Sequence, residues 1–176
     1  VTSRCSRNCP GPPRVPACMV MEYLRGLCQQ DHFAGGKGFE ACGETLHLKD
    51  VDVPLCAIAC ETDHIAAWQS SYAGMRQMGS KSKKFILSES GHIAGIVNPP
   101  SKKKYGHYLN DDWPESSADW QTNAEFKEGS WWPTWEKWLS SQSGKKVAAR
   151  VPGSVENFPE LYPAPGKYVA ENLKSS

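Results

Sequence analysis

Two hydrophobic patterns alternate in the middle of the chain. The run Leu55–Cys60 contains no charged side chain, which is typical of a parallel strand covered on both faces. Large apolar side chains then recur every three or four residues, at Trp68, Tyr72, Met75 and Met78. This spacing predicts an amphipathic helix over 66–78. A basic loop over 81–84 leads to a second short apolar run, Phe85–Leu87. Strand, helix and strand in this order predict a βαβ unit, and therefore a parallel sheet.

Less regular segments flank this unit. Residues 1–17 mix Pro, Gly, Arg and Cys without a period, and we interpret them as an irregular leader. Residues 18–30 carry apolar side chains at helical spacing and precede a glycine-rich loop, so they predict a helix. Residues 44–53 are interpreted as an extended connection. The chain beyond residue 144 is rich in proline, which predicts an extended tail over 145–176.

Tryptophan and lysine form two local clusters. Six of the seven tryptophans lie between residues 113 and 138. Four of them fall on one short predicted helix, at Trp131, Trp132, Trp135 and Trp138. We expect this cluster to pack in the core rather than to bind a ligand, with Ser130 as the helix cap. The lysines at 102–104 are interpreted as a solvated surface turn rather than a phosphate contact.

Composition and charge limit the kinds of partner that we expect this chain to bind. The 176 residues include 20 Lys and Arg and 19 Asp and Glu, and this balance gives no electrostatic basis for binding nucleic acid. No run approaches the roughly 18 apolar residues of a membrane span, so we expect none. The seven cysteines lack the spacing of zinc ligands. We therefore expect reduced thiols in a cytoplasmic protein, with no metal and no cofactor.

Asp63 and His92 are the strongest candidates for catalytic residues. Each follows one of the two predicted buried strands, and the carboxyl ends of parallel neighbours meet at one edge of a sheet. A carboxylate that orients an imidazole is what a nucleophilic hydrolase or acyltransferase uses to deprotonate Ser or Cys. The alternative interpretation is a capping Asp and a loop His bonded to backbone. His64, the neighbour of Asp63, is expected to make a structural hydrogen bond or to line the site.

A nucleophile is missing from this pattern. The α/β-hydrolase fold places it in a Gly-x-Ser/Cys-x-Gly elbow before the Asp, and the printed sequence has no such pentapeptide. Cys56 and Cys60 lie within the predicted strand and are expected to be core residues. Two core strands are also too few for a complete domain. The predicted fold is α/β: the C-terminal part of an α/β-hydrolase-type parallel sheet with flanking helices, incomplete as it stands.

Four blocks of sequence resemble one enzyme family. They are Thr62–Trp68, Ser90–Pro100, Gly129–Trp135 and Pro163–Val169. With these blocks in this order the chain is similar to the poly(3-hydroxyalkanoate) synthases, and most of all to their class I, short-chain branch. The resemblance runs from about residue 23 to residue 169.

The resemblance implies a fold and an activity. Residues 18–43 would be the end of a cap region, and residues 44–144 the C-terminal part of an α/β-hydrolase catalytic domain. The family polymerises (R)-3-hydroxyacyl-CoA into polyester and releases CoA through a Cys-His-Asp triad. Asp63 matches the triad Asp and His92 the general base, while the nucleophilic Cys would lie upstream of this chain, which alone is expected to be inactive.

The same resemblance implies partners and a location. The partners would be the acyl-CoA, the growing polyester chain, the missing N-terminal part of the enzyme and, at full length, a second copy in a homodimer. The location would be the cytoplasm, at the surface of polyester granules. Two alternatives remain: the C-terminal half of another α/β-hydrolase such as an esterase, and a non-catalytic tryptophan-rich binding module.

Overall fold

The computed structural model describes residues 15–150, 153–155, 158–159, 161–164 and 166–167. The chain divides into a unit over Met21–Gly144 and a second unit formed by Val1–Val20 and Lys145–Ser176. The described α-helices are α1 (Ala17–Glu22), α2 (Trp68–Gln77), α3 (Ser117–Thr122) and α4 (Trp132–Gln142). The described strands are β1 (Phe39–Ala41), β2 (Glu44–Leu46), β3 (Leu55–Cys60), β4 (Lys83–Ser88), β5 (His107–Leu109), β6 (Glu125–Lys127), β7 (Ser154–Val155) and β8 (Phe158–Pro159).

The predicted βαβ unit is confirmed as β3-α2-β4. The two strands are parallel, with Leu55 opposite Lys83 and Cys60 opposite Ser88. β4 begins two residues earlier than the apolar run indicates, so the basic loop predicted over 81–84 is wrong in its second half. Lys83 and Lys84 are half-buried, and their charged ends reach polar partners. Nζ of Lys83 donates to the carbonyl of Arg76 (3.2 Å), and Nζ of Lys84 lies 3.7 Å from the carboxylate of Asp111.

The predicted parallel sheet is confirmed only for β3 and β4, because the four-stranded sheet is mixed. The four strands are ordered β3-β4-β5-β6, and β5 pairs antiparallel with both of its neighbours. The chain reverses after β4 through a loop and a turn, a connection that antiparallel neighbours permit and parallel ones do not. β5 and β6 have three residues each, too few for alternation to be visible in the sequence.

An aromatic cluster joins the helices to the sheet. Tyr72 of α2, Phe85 of β4 and Trp120 of α3 contact one another with ring centroids 5.1–5.8 Å apart, and none of the three is more than 1% exposed. Trp131 is also buried. Trp132 and Trp135, however, are 37% and 38% exposed, so the prediction that the whole tryptophan cluster packs in the core is wrong for these two.

The segment before β3 is more structured than predicted. The predicted helix over 18–30 is present as α1 followed by a π-helical stretch, Tyr23–Gln29. The connection predicted over 44–53 instead contains β2, which forms a hairpin with β1, and a 3-10 turn. The hairpin loop is Cys42-Gly43, and both residues have positive φ (54° and 83°), as a type I′ turn requires.

The terminal segments are described only in part. The predicted leader over 1–17 lies outside the described residues as far as position 14, and Pro152 and Pro165 of the predicted tail are also outside them. β7 and β8 form a short antiparallel pair in the tail. Among the described residues, no helix combines the length and apolar character needed to cross a bilayer.

Candidate active site

The ends of β3 and β4 bring two loops together. The backbone N–H of Glu61 donates to the carbonyl of Ser88 (2.8 Å), and that of Thr62 donates to the carbonyl of Ser90 (3.1 Å). Strand-like pairing therefore continues for two residues beyond the sheet. The side chains that follow, Asp63 and His92, leave the paired backbones next to each other, as the sequence predicts.

Asp63 is held by three hydrogen bonds. One carboxylate oxygen, Oδ1, accepts from the backbone N–H groups of Ile65 (2.8 Å) and Ala66 (3.0 Å). The other, Oδ2, lies 2.8 Å from Nδ1 of His92. The N–H of Ala66, then the His92 side chain and the N–H of Ile65, lower the pKa of Asp63 to about 2. The carboxylate is therefore ionised throughout the neutral range, and its orientation is fixed from both sides.

The hydrogen bond to Asp63 determines the state of the His92 ring. Because a carboxylate only accepts, Nδ1 of His92 carries a proton and Nε2 of the neutral ring presents a lone pair. Among the described residues Nε2 has no hydrogen-bond partner, and the His92 side chain is 47% exposed. Nε2 is thus an accessible base that a neighbouring thiol or hydroxyl can approach.

Backbone strain and close packing fix the loop that carries His92. Ser90 has φ of 74°, a conformation that non-glycine residues rarely adopt and that often marks functional sites. Gly95 lies so close to the sheet that a Cβ there would be 2.6 Å from Sγ of Cys60 and 2.8 Å from the carbonyl oxygen of Glu89. Only glycine permits this approach.

Two tryptophans that the sequence placed in the core hold the same loop. The indole N–H of Trp131 donates to the carbonyl of Gly95 (2.8 Å), which also accepts from the hydroxyl of Ser88 (3.0 Å). The indole N–H of Trp132 donates to the carbonyl of Ile96 (3.1 Å). The prediction of Ser130 as the helix cap is wrong, since the N-cap residue of α4 is Trp131 and its side chain makes no capping hydrogen bond. The hydroxyl of Ser130, one residue earlier, accepts from the backbone N–H of Trp132 (3.1 Å).

His107 connects β5 to the start of α4. Its Nδ1 donates to the carbonyl of Gly129 (3.0 Å), and its Nε2 lies 2.9 Å from the hydroxyl of Thr134. Burial lowers the pKa of His107, with a smaller lowering from Lys127. A buried neutral imidazole with both nitrogens occupied is a structural group, and it positions the helix whose tryptophans reach the His92 loop.

None of the described cysteines hydrogen-bonds to the His92 ring. Cys60 is 1% exposed, and burial, followed by the charge of Asp63, raises its pKa. Cys56 is half-buried, and burial raises its pKa as well. A raised pKa disfavours the reactive thiolate. The prediction of a core residue is therefore confirmed fully for Cys60 and partly for Cys56; Cys5 and Cys9 lie outside the described residues.

His64 lies beside the Asp63–His92 pair in sequence but takes no part in it. It is exposed, and the part of the chain that the structure describes gives its ring no hydrogen-bond partner. The structural bond expected from the sequence is therefore absent among those residues, and its role in lining the site stays a prediction.

Known proteins share this segment of sequence. The chain is 38% identical over 162 residues to the poly(3-hydroxyalkanoate) polymerase subunit PhaC of Cupriavidus necator, covering 92% of this chain and 26% of that protein. It is 40% identical over 129 residues to the PhaC subunit of Rhizobium etli (73% and 20%) and 41% identical over 158 residues to the poly(3-hydroxyalkanoate) polymerase of Methylorubrum extorquens (89% and 26%). The chain spans about a quarter of the length of these curated relatives. No protein-family model matches it.

Proposed function

The chain belongs to the poly(3-hydroxyalkanoate) synthases by sequence similarity, and it matches a C-terminal part of them. On this premise we propose that it supplies the Asp and the His that catalyse acyl transfer in these enzymes. The observation that supports this most directly is the 2.8 Å hydrogen bond from Nδ1 of His92 to Asp63. Nε2, the second ring nitrogen of His92, has no hydrogen-bond partner among the described residues. The proposed substrate is an (R)-3-hydroxyacyl-CoA, and the proposed nucleophile is a cysteine from outside these 176 residues.

The first step is acylation of that cysteine. Nε2 of His92 accepts the thiol proton, and the thiolate sulfur attacks the carbonyl carbon of the acyl-CoA. A new carbon–sulfur bond forms and the bond to the sulfur of CoA breaks. The leaving CoA thiolate takes the proton from His92, so that the base is neutral again.

Chain growth uses the same base on a hydroxyl group. Nε2 of His92 accepts the proton of the 3-hydroxyl of one acyl unit, and the oxygen attacks the thioester of another. An ester bond forms, and the sulfur that leaves recovers the proton. Asp63 supports both steps because its carboxylate fixes the ring orientation and stabilises the imidazolium while the proton is held.

A chimera tests the proposal. The matching segment of the Cupriavidus necator relative is replaced by this chain, and thiol release from 3-hydroxybutyryl-CoA is followed spectrophotometrically. We expect turnover, and we expect His92→Gln to reduce it by about 100-fold or more, the usual contribution of a general base. Asp63→Asn should also reduce it strongly, whereas the matched change Asp112→Asn, on an exposed residue, should not.

Three results would contradict the proposal. A folded chimera that releases no CoA would do so, as would one whose turnover survives His92→Gln. Steady turnover by the 176-residue chain alone would show that the nucleophile is not external. A chimera that cleaves a simple ester faster than the acyl-CoA would instead support the esterase alternative.

A second candidate function rests on the exposed tryptophans. Trp132, Trp135 and Leu139 of α4 are each between 37% and 40% exposed, and exposed apolar clusters mark interaction surfaces. We propose that this face contacts the polyester granule. Trp135→Ser should lower the fraction of protein that sediments with granules and leave the melting temperature unchanged. A lowered melting temperature with normal sedimentation would contradict this role.

A further inference from the structure

The loop that carries His92 begins and ends at one point of the sheet. It connects the end of β4 to the start of β5, over residues 89–106. The backbone N–H of Glu89 donates to the carbonyl of Gly106 (3.0 Å), and the backbone N–H of Gly106 donates in return to the carboxylate of Glu89. These two hydrogen bonds join the ends of the loop, as in compact surface loops that are closed at their base.

Gly106 is a fixed partner for this contact. It is buried, and a Cβ on it would lie 2.6 Å from the carbonyl oxygen of Lys127 and against the ring of Phe126, both in β6. Only glycine permits such a close approach. The N–H of Gly106 therefore stays in one place beside the sheet, and a buried N–H without an acceptor is costly. The carboxylate of Glu89 supplies that acceptor.

The Glu89 carboxylate is committed to this hydrogen bond. The side chain is half-buried, and the described part of the chain gives it no salt bridge. A charge that is partly removed from water needs hydrogen bonds to compensate for the lost hydration. A hydrogen bond from an N–H to a carboxylate is one of the stronger kinds. Closing the base of the loop is therefore the role that the contacts assign to this side chain.

A short and strained connection links Glu89 to the proposed base. Only Ser90 and Gly91 separate it from His92. Ser90 has φ of 74°, and its carbonyl accepts from the backbone N–H of Thr62 (3.1 Å). Such strain persists only where the surroundings impose it. The bond to Thr62 holds this connection from the side of β3, and the two bonds of Glu89 hold it from the side of β5.

We propose that Glu89 is a positioning residue for acyl transfer, because it fixes the base of the loop and so keeps Nδ1 of His92 on Asp63. The inference rests on the proposed function, because it concerns the same base. Two carboxylates then have separate roles. Asp63 orients the imidazole ring directly, and Glu89 holds the backbone from which the ring extends.

The kcat and KM of the chimera for 3-hydroxybutyryl-CoA test this role. Glu89→Ala should lower kcat by about tenfold or more, since small displacements of a catalytic group are costly, and should change KM by less than about twofold. Glu89→Gln keeps an oxygen that can accept from Gly106, and should retain kcat to within about threefold. Glu89→Asp keeps the charge but is one methylene shorter, and should behave like Glu89→Ala.

Glu61→Ala is the matched control. Glu61 is a half-buried carboxylate that directly follows β3, and its side chain accepts from Gln121 of α3 (2.8 Å) instead of from the His92 loop. This variant should change kcat by less than about twofold. The NMR resonance of the His92 Nδ1 proton gives a second readout in the 176-residue chain. It should weaken in Glu89→Ala, recover in Glu89→Gln and stay unchanged in Glu61→Ala.

The outcomes separate this inference from the proposed function. A chimera without turnover would contradict the catalytic proposal, and the Nδ1 resonance would then still decide whether Glu89 positions the ring. An unchanged kcat and an unchanged resonance in Glu89→Ala would overturn the inference while the catalytic proposal stands. Equal losses in Glu89→Ala and Glu61→Ala would also overturn it. If Glu89→Ala does not fold, Glu89→Asp and Glu89→Gln carry the comparison, and equal kcat values for these two would overturn the inference.

Discussion

Replacing Gly95 with alanine tests how tightly the His92 loop is held against the sheet. The added Cβ would lie 2.6 Å from Sγ of Cys60, 2.8 Å from the carbonyl oxygen of Glu89 and 3.1 Å from that of Gly91. Ordinary carbon contacts begin near 3.5 Å, so the neighbouring atoms must move by several tenths of an ångström or more. Cys60 is 1% exposed and the other two neighbours are backbone atoms. The loop itself must therefore shift.

Gly95→Ala should lower the free energy of unfolding, because the added methyl group overpacks a close contact. Forced insertion of a methyl group into a packed site costs about 1–3 kcal/mol, which corresponds to a loss of roughly 4 °C in melting temperature for each kcal/mol in a unit of this size. Urea denaturation followed by circular dichroism measures the change. Gly74→Ala is the matched control, because no atom lies within 4 Å of the position of its Cβ in α2. It should stabilise the chain by about 1 kcal/mol.

A second substitution identifies the clash. Adding Cys60→Ala to the Gly95→Ala chain removes one of the three close contacts, so the pair should show a favourable coupling energy of about 0.5–3 kcal/mol. The resonance of the His92 Nδ1 proton, bonded to Asp63, should weaken in the Gly95→Ala chain and recover in part in the double variant. If Gly95→Ala is neutral or stabilising, like Gly74→Ala, the loop is not packed as described.

Three further predictions concern pH and the loop. The pKa of Asp63 lies near 2 in the folded chain, below its ordinary value, so the unfolded chain binds the proton more readily. The free energy of unfolding of the unchanged chain, relative to that of Asp63→Asn, should stay constant above pH 3.8 and fall as the pH drops towards about 2. Urea titrations at several pH values measure this difference. A constant difference across that range would contradict the bonding of Asp63. Burial lowers the pKa of His107 from 6.5, so stability should also fall as the pH drops below 6.5, and this fall should be smaller in His107→Gln; identical pH profiles would refute its buried neutral state. Trp132→Phe removes the hydrogen bond to Ile96 at a cost of about 0.5–1.5 kcal/mol, and hydrogen–deuterium exchange over 93–97 should accelerate; unchanged exchange would mean that Trp132 does not hold the loop.

The sequence by itself determined the βαβ unit and the pairing of Asp63 with His92. A buried strand, an amphipathic helix and a second buried strand each leave a local hydrophobic pattern, and these patterns predicted β3, α2 and β4 at nearly their observed positions. Since both strands run in the same direction, the residues after each one meet at the same edge of the sheet. Asp63 and His92 could therefore be paired without coordinates.

The tertiary structure alone decided the rest of the sheet and what holds the loop in place. β5 and β6 are strands because their neighbours pair with them, and three residues carry too little pattern to predict this. The indoles of Trp131 and Trp132 each reach back 36 residues to the His92 loop, although their sequence pattern indicated only core packing. The side-chain amide of Asn98 likewise donates to the carbonyls of Lys104 (2.8 Å) and Tyr105 (3.2 Å), contacts that no local sequence pattern predicts. Such contacts depend on where distant segments meet, which hydrophobic periodicity does not record.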